Sequence, residues 1–284
     1  MGVSTTHRVK HGVHQVRRLI PPSLLRNMAR KRVEQLWEND AYRELQEAQM
    51  RFLLEFTDRA PEIPELARAF AEETILKTHL RWHPWKIVRQ EVRGIEWLTT
   101  KRDTSRPTIL SFMHHYQYEG CFASVRRAGA TLHVLTLASV MGKDQPPGMR
   151  QHIGLVGQGG VGIPTIGGTD FIADQLLPGM TMAIASDLPG HTPATFLGRP
   201  VISSFGAARI SMMKDAPVVH LTVEREADGH HYLQLHEPLD PRDYADPKDL
   251  LAAILKRHEP AILAWPEVVD MPRARFGHVD GWGT

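Results

Sequence analysis

The 284-residue chain contains a single cysteine, Cys121. One thiol cannot close an internal disulfide, which excludes a stapled secreted scaffold and suits a reducing compartment. Its place two residues after Glu119 leaves two readings, a nucleophile or a small packing group at a strand end. No apolar run approaches the roughly 18–20 residues needed to cross a bilayer, and no signal-peptide pattern of basic start, apolar stretch and small-residue cleavage site is present. The chain is therefore expected neither to span a membrane nor to leave the cytoplasm by that route. Internal repeats and low-complexity linkers are absent as well. Acidic residues are missing from residues 1–33, which carry Arg8, Lys10, Arg17, Arg18, Arg26, Arg30, Lys31 and Arg32, although the formal net charge of the whole is only +2. No aromatic platform or nucleic-acid motif accompanies this charge, so nucleic acid is not the expected partner.

What is present is ordinary globular material, 42% hydrophobic and 23% charged, enough to bury a sizeable core. The length fits one domain over residues 1–284. Within the basic start, Val13, Val16 and Ile20 have helical spacing, and Leu24, Leu25 and Met28 follow Pro21-Pro22. Apolar and cationic residues separated onto two faces suit an anionic membrane surface; the alternative is a surface helix docked on the domain. The pattern stays helical from Lys31 to about Lys77, giving a helical front section over residues 1–90. From about residue 105 the rhythm changes. Short apolar runs, "PTILSFM", "TLHVLTLA", "MTMAIAS" and "APVVHLTV", alternate with helix-length segments such as "FGAARISMMK" and "DPKDLLAAILKRH". The latter carries Asp246 as N-cap, Pro247 in its first turn and basic residues expected in its last. Alternating strands and helices predict an α/β core over 91–284, a mixed, largely parallel sheet covered by helices.

The stretch "ILSFMHHYQYEGC" (109–121) places His114, His115 and Glu119 just beyond an apolar strand. In open α/β sheets ligands bind at the carboxyl ends of strands. His115 and Glu119 would be plain neighbours on a helix. His114 and Glu119 sit roughly 140° apart on an ideal helix and meet only where the chain bends back before it.

"HHYQYE", with His114 first and Glu119 last, resembles the H-x4-D/E motif of the glycerolipid and lysophospholipid acyltransferase superfamily. More specifically it resembles the branch containing bacterial lipid A late acyltransferases and mycobacterial phosphatidylinositol mannoside acyltransferases. "IASDLPG", with Asp187, resembles the second acidic block of that family. "FLGRPVISSFGAARISMMKDAPVV", with Gly198, Arg199, Pro200, Ala216 and Pro217, is similar to its F-x-G-x-P, helix and G-A-P-V-V stretch, and "RHEPAILAW" to its H-P-E segment. The resemblance spans about residues 80–265.

It implies transfer of a fatty acyl chain from an acyl-CoA or acyl-carrier-protein thioester to a hydroxyl of a lipid or glycolipid, on the cytoplasmic face of a membrane, with the thioester as co-substrate and no cofactor. A neutral imidazole accepts a proton near pH 7, which assigns His114 as general base. A carboxylate on the other ring nitrogen would fix its tautomer, the role expected of Glu119. Asp187 would organise the site or bind the acceptor. Arg199, between a glycine and a proline, and Arg150, near where a functional arginine is expected, would meet phosphate; solvated loop charges are the alternative. His220, His230 and His231 lack ligand-spaced partners, so no metal is expected.

Two other classes fit parts of the sequence. A non-catalytic lipid-binding protein would keep the fold without the chemistry. "GQGGVG" (157–162) satisfies the G-x-G-x-x-G of dinucleotide-dependent oxidoreductases, but Pro164, Gly167 and Gly168 would break the helix that motif requires.

Overall fold

The structure is a computed structural model that describes residues 17–142 and 144–276. Three helices lead, α1 (Pro22–Trp37), α2 (Asp40–Leu54) and α3 (Ile63–Leu80). Pro22 opens the first, and the Asn39 side chain caps the second by accepting from the Tyr42 N–H. Leu25, Ala29 and Val33 of α1 are buried, the first two in a cluster with Leu76 of α3. Leu19, Leu24 and Met28 instead face solvent, so the apolar residues of the basic segment divide between the domain and the outside. Arg8, Lys10, Val13 and Val16 lie outside the described residues.

The strands are β1 (Glu91–Arg93), β2 (Thr108–Phe112), β3 (Leu132–Thr136), β4 (Gly160–Pro164), β5 (Thr181–Ala185), β6 (Pro189–Phe196), β7 (Arg199–Ser203), β8 (Val218–Arg225) and β9 (His231–Leu235). Seven of them form one sheet in the order β1-β9-β8-β2-β5-β3-β4, parallel in every ladder except β8 against β9. This is the mixed, largely parallel sheet with a helical front section that the alternation of patterns predicts. β6 and β7 form a separate hairpin. Its turn residues, Leu197 and Gly198, hold φ at 51° and 74°, the positive pair that a tight two-residue hairpin demands.

Both faces of the central strands are buried, which is why their sequences read as unbroken apolar runs. The helices that cover them are α4 (Cys121–Arg127), α5 (Pro147–Val156), α6 (Gly168–Asp174), α7 (Gly206–Lys214) and α8 (Pro247–Ala264). Ile109, Met182, Ile184 and Val218 face one core, shared with residues of α2, α3, α7 and α8. Leu110, Phe112, Ala183, Ala185, Val219 and Leu221 face the other, with Phe122 of α4. Burying each such aliphatic side chain larger than alanine contributes roughly 1.5–3 kcal/mol.

Asp246 caps α8 as expected, its carboxylate accepting from the Lys248 and Asp249 N–H groups. The helix does not stop at the basic residues, however; it runs through Pro260 to Ala264, leaving no basic residue in its last turn. The buried stripe Leu250, Leu251, Ile254, Leu255, His258 and Ile262 continues past them, and this burial outweighs the local stop signals. The glycine run leads out of α5 into β4, the reverse of the strand-turn-helix order that a dinucleotide motif needs. Its glycines serve packing: a Cβ on Gly159 would stand 2.0 Å from the Phe122 Cβ, and one on Gly160 2.0 Å from the Leu132 carbonyl oxygen.

Candidate active site

β2 and β5 are adjacent and parallel, with Phe112 registered against Ala185. Two residues beyond that pair stand His114 and Asp187. Side chains alternate along strands, so both project from the face that carries Leu110, Phe112, Ala183 and Ala185. The register brings together two side chains 73 residues apart in sequence. His114 Nδ1 lies 2.7 Å from Asp187 Oδ1, and the His114 backbone N–H donates to Asp187 Oδ2, also at 2.7 Å.

Asp187 is 1% exposed. Burial works against its ionisation, but the two bonds from His114 and the charge of Arg275 hold its carboxyl below the usual range. Burial also lowers the pKa of His114 below its ordinary value, with Arg275 adding to the shift and Asp187 opposing it. The ring is therefore neutral near pH 7, its Nδ1–H donated to the carboxylate. Nε2 makes no hydrogen bond among the described residues, and His114 lines a cavity of about 440 Å³.

The walls of this cavity are of two kinds. One stretch is apolar, built from Phe112, Phe122, Val134, Leu137, Val140, Met149, Ile153 and Val156. The other, around His114, holds Lys77 and Arg81 from the end of α3, Tyr118, His152, and Asp270 and Arg275 in and beside α9 (Pro272–Arg275). Such a shape, mostly apolar with a few convergent polar groups, is that of a small-molecule site. The Tyr118 ring meets His114 edge-on at 4.5 Å between centroids. Asp270 binds Lys77 Nζ and Arg275 Nη2, each at 2.5 Å, and its backbone N–H donates to the His114 carbonyl at 2.8 Å. The segment Val268–Asp270 thus runs beside the loop 114–116 and braces it, with Tyr116 N–H donating to Val268 O and a bridge between His115 and Val269.

Glu119 is placed elsewhere, and the carboxylate that meets the His114 ring nitrogen is that of Asp187. The Glu119 carboxylate is buried against Arg81, whose Nε lies 3.0 and 3.1 Å from its two oxygens and whose Nη2 also donates to it. His152 Nδ1 approaches Glu119 to 3.1 Å, off the line of a good hydrogen bond. Burial disfavours the charge of Glu119, yet His152, Arg81 and Lys77 together hold its pKa down to about 2. Glu119 therefore ties α3 and α5 into one wall. The chain does bend between the two residues, with Tyr116 at φ 48° and a 3-10 turn at residues 118–120, but the bend carries Glu119 to Arg81 and His152 and not back to His114.

The other expected residues fall apart from the pair. Arg199 donates to the Phe52 carbonyl at 3.0 Å, pairs with Glu55 and lies over the Phe56 ring at 4.7 Å, fastening the hairpin to α2. Arg150 is exposed on α5 and does not line the cavity. His115 is buried, its Nε2 bonded to the Trp265 carbonyl at 2.9 Å, and burial lowers its pKa to about 4. The Cys121 thiol is buried and pushed far above its ordinary pKa, the state of a packing group. Sequence reasoning missed Lys77, Arg81, His152, Asp270 and Arg275. A cation pair four apart, Lys77 and Arg81 at one helix end, was the available signal for two of them. Among the described residues no three His, Cys, Asp or Glu side chains gather as a metal site, and no helix is long and apolar enough to cross a membrane.

No family model matches this chain, and no curated protein matches it in sequence. Among solved structures it is similar to the 1-acyl-sn-glycerophosphate (LPA) acyltransferase PlsC from Thermotoga maritima, at 15% identity and a TM-score of 0.44 over 87% of this chain and 97% of that one.

Proposed function

We propose that the protein is an acyltransferase that moves a fatty acyl chain from a CoA or carrier-protein thioester to a hydroxyl of a lipid or glycolipid. The observation that carries this reading is the His114–Asp187 pair, with Nε2 unbonded among the described residues, at the junction of the polar and apolar walls of one cavity. An acceptor hydroxyl at Nε2 gives up its proton as its oxygen attacks the thioester carbonyl carbon. Asp187 holds the ring in the required tautomer and stabilises the imidazolium that forms. The imidazolium then returns the proton to the departing thiolate. No covalent enzyme intermediate is needed, which agrees with the buried state of Cys121. The apolar wall takes the acyl tail. Glu119 acts at one remove, keeping Arg81 and the wall it joins in place.

The same reading puts the protein at an anionic membrane face through its basic start. In the described part of that segment, exposed Leu19, Leu24 and Met28 accompany exposed Arg18, Lys31 and Arg32, the pairing of aliphatics with cations that suits headgroups above an acyl boundary. Binding should then require anionic lipid and weaken with salt; equal binding to neutral vesicles at high salt would remove this part of the proposal. The chemistry is tested by mass spectrometry of lipids after purified protein is incubated with mixed acyl thioesters and a membrane extract. New acyl esters are expected. Consumption of thioester with no new ester would point to hydrolysis, and no consumption would reject the reading.

A further inference from the structure

Attack on a thioester pushes an electron pair onto the carbonyl oxygen, so a site of this kind needs a donor for that oxyanion close to the base. Three cations stand on the polar wall of the cavity: Lys77, Arg81 and Arg275. All three nitrogens of the Arg81 guanidinium are engaged, with Nε and Nη2 on Glu119 and Nη1 3.4 Å from the Gly148 carbonyl. Lys77 Nζ is held by Asp270 and rests 4.5 Å above the Tyr118 ring. Arg275 differs. Its Nη2 binds Asp270 at 2.5 Å and its Nε reaches the Asp270 carbonyl at 3.3 Å, while Nη1 has no protein partner among the described residues. The side chain is 15% exposed, and Asp270, which fixes it, is the residue whose backbone N–H binds the His114 carbonyl. Base and guanidinium are thus set from one short segment.

We propose that Arg275 is a catalytic residue, its spare Nη1 N–H groups binding the oxyanion that forms when the acceptor oxygen attacks the thioester carbonyl. This rests on the acyl-transfer reading. As the new C–O bond forms, the carbonyl π pair moves onto oxygen and is met by Arg275, and the acceptor's proton goes to His114 Nε2. As the carbonyl re-forms, the C–S bond breaks with its pair on sulfur, which takes that proton. Electrostatics agrees with the placement: burial works against the Arg275 charge, but Asp187, Tyr118 and Asp270 keep it in place, and that charge is felt in turn by His114 and Asp187.

The test compares wild type, His114→Gln, Arg275→Ala and Arg275→Lys in steady-state transfer from a long-chain acyl-CoA, with Tm measured for each. Arg275→Ala should lose about 10²–10³-fold in kcat with little change in KM, and added methylguanidinium should restore part of it. Arg275→Lys keeps a cation for Asp270, so its Tm should hold, yet without the fork its kcat should still fall at least about tenfold. Wild-type kcat in Arg275→Lys, or losses that follow Tm and resist rescue, would overturn the assignment while leaving His114 as base. Absence of transfer by wild type would overturn both.

Discussion

Replacing Asp187 by Asn and Glu119 by Gln gives two nearly isosteric changes with opposite expected consequences. In Asp187→Asn the amide oxygen can still accept from the His114 backbone N–H, the 2.7 Å bond that fastens the loop, so most of the local structure survives. The negative charge beside Nδ1 is lost, and with it both the enforced tautomer and the partner of the imidazolium. A loss of about 10²–10⁴-fold in kcat is expected, with Tm changed little. In Glu119→Gln the partly buried Arg81 guanidinium loses a carboxylate that is 2% exposed and is bonded by Nε at 3.0 and 3.1 Å. Removing one partner of a buried pair costs about 3–5 kcal/mol. That is an upper figure here, because the Arg81 side chain retains 20% exposure and solvent screens part of the pairing. The assay is thiol release from an acyl thioester beside thermal unfolding of each variant. If Glu119→Gln lost activity at unchanged Tm while Asp187→Asn kept its kcat, the roles assigned to the two acids would be refuted.

Three further outcomes follow from the same geometry. Because burial lowers the pKa of His114 below its ordinary value, kcat/KM should be flat through neutral pH and fall only below about 6.5; an acid limb centred higher would contradict the buried, neutral base. His115 and His258 are buried with pKa values near 4 and 3, and His220 is lowered well below the ordinary value. The unfolded chain binds protons at these sites below about pH 6.5 while the folded chain does not, so stability is full above that pH and declines as pH falls towards the folded values. Tm should drop across that window, less so in His258→Gln; a flat profile would refute it. Arg199→Ala should lower stability by about 1–2 kcal/mol through lost hydrogen bonds and ring contacts with α2 and leave KM for a phosphorylated acceptor unchanged. A rise in that KM would restore the substrate role expected from the sequence.

The strands and helices were legible because both faces of the sheet are buried: "PTILSFM" and "MTMAIAS" are apolar almost throughout, bounded by breakers, and become β2 and β5. The position of His114 followed from the same reasoning, as the first ionisable side chain beyond a buried strand. Its partner did not. Pairing His114 with Asp187 depends on the Phe112–Ala185 register, a tertiary fact set by how two distant strands pack. Glu119, near in sequence, is turned away by the left-handed backbone at Tyr116. The cations of the cavity come from the end of α3 and from the segment after α8, where Asp270 and Arg275 read as surface charges until the chain is folded.

The most direct test of the central claim is single-turnover transfer by His114→Gln, whose amide can still donate to Asp187 but cannot accept a proton. A folded variant with transfer slowed at least about 10²-fold is predicted. Transfer at the wild-type rate would contradict the account.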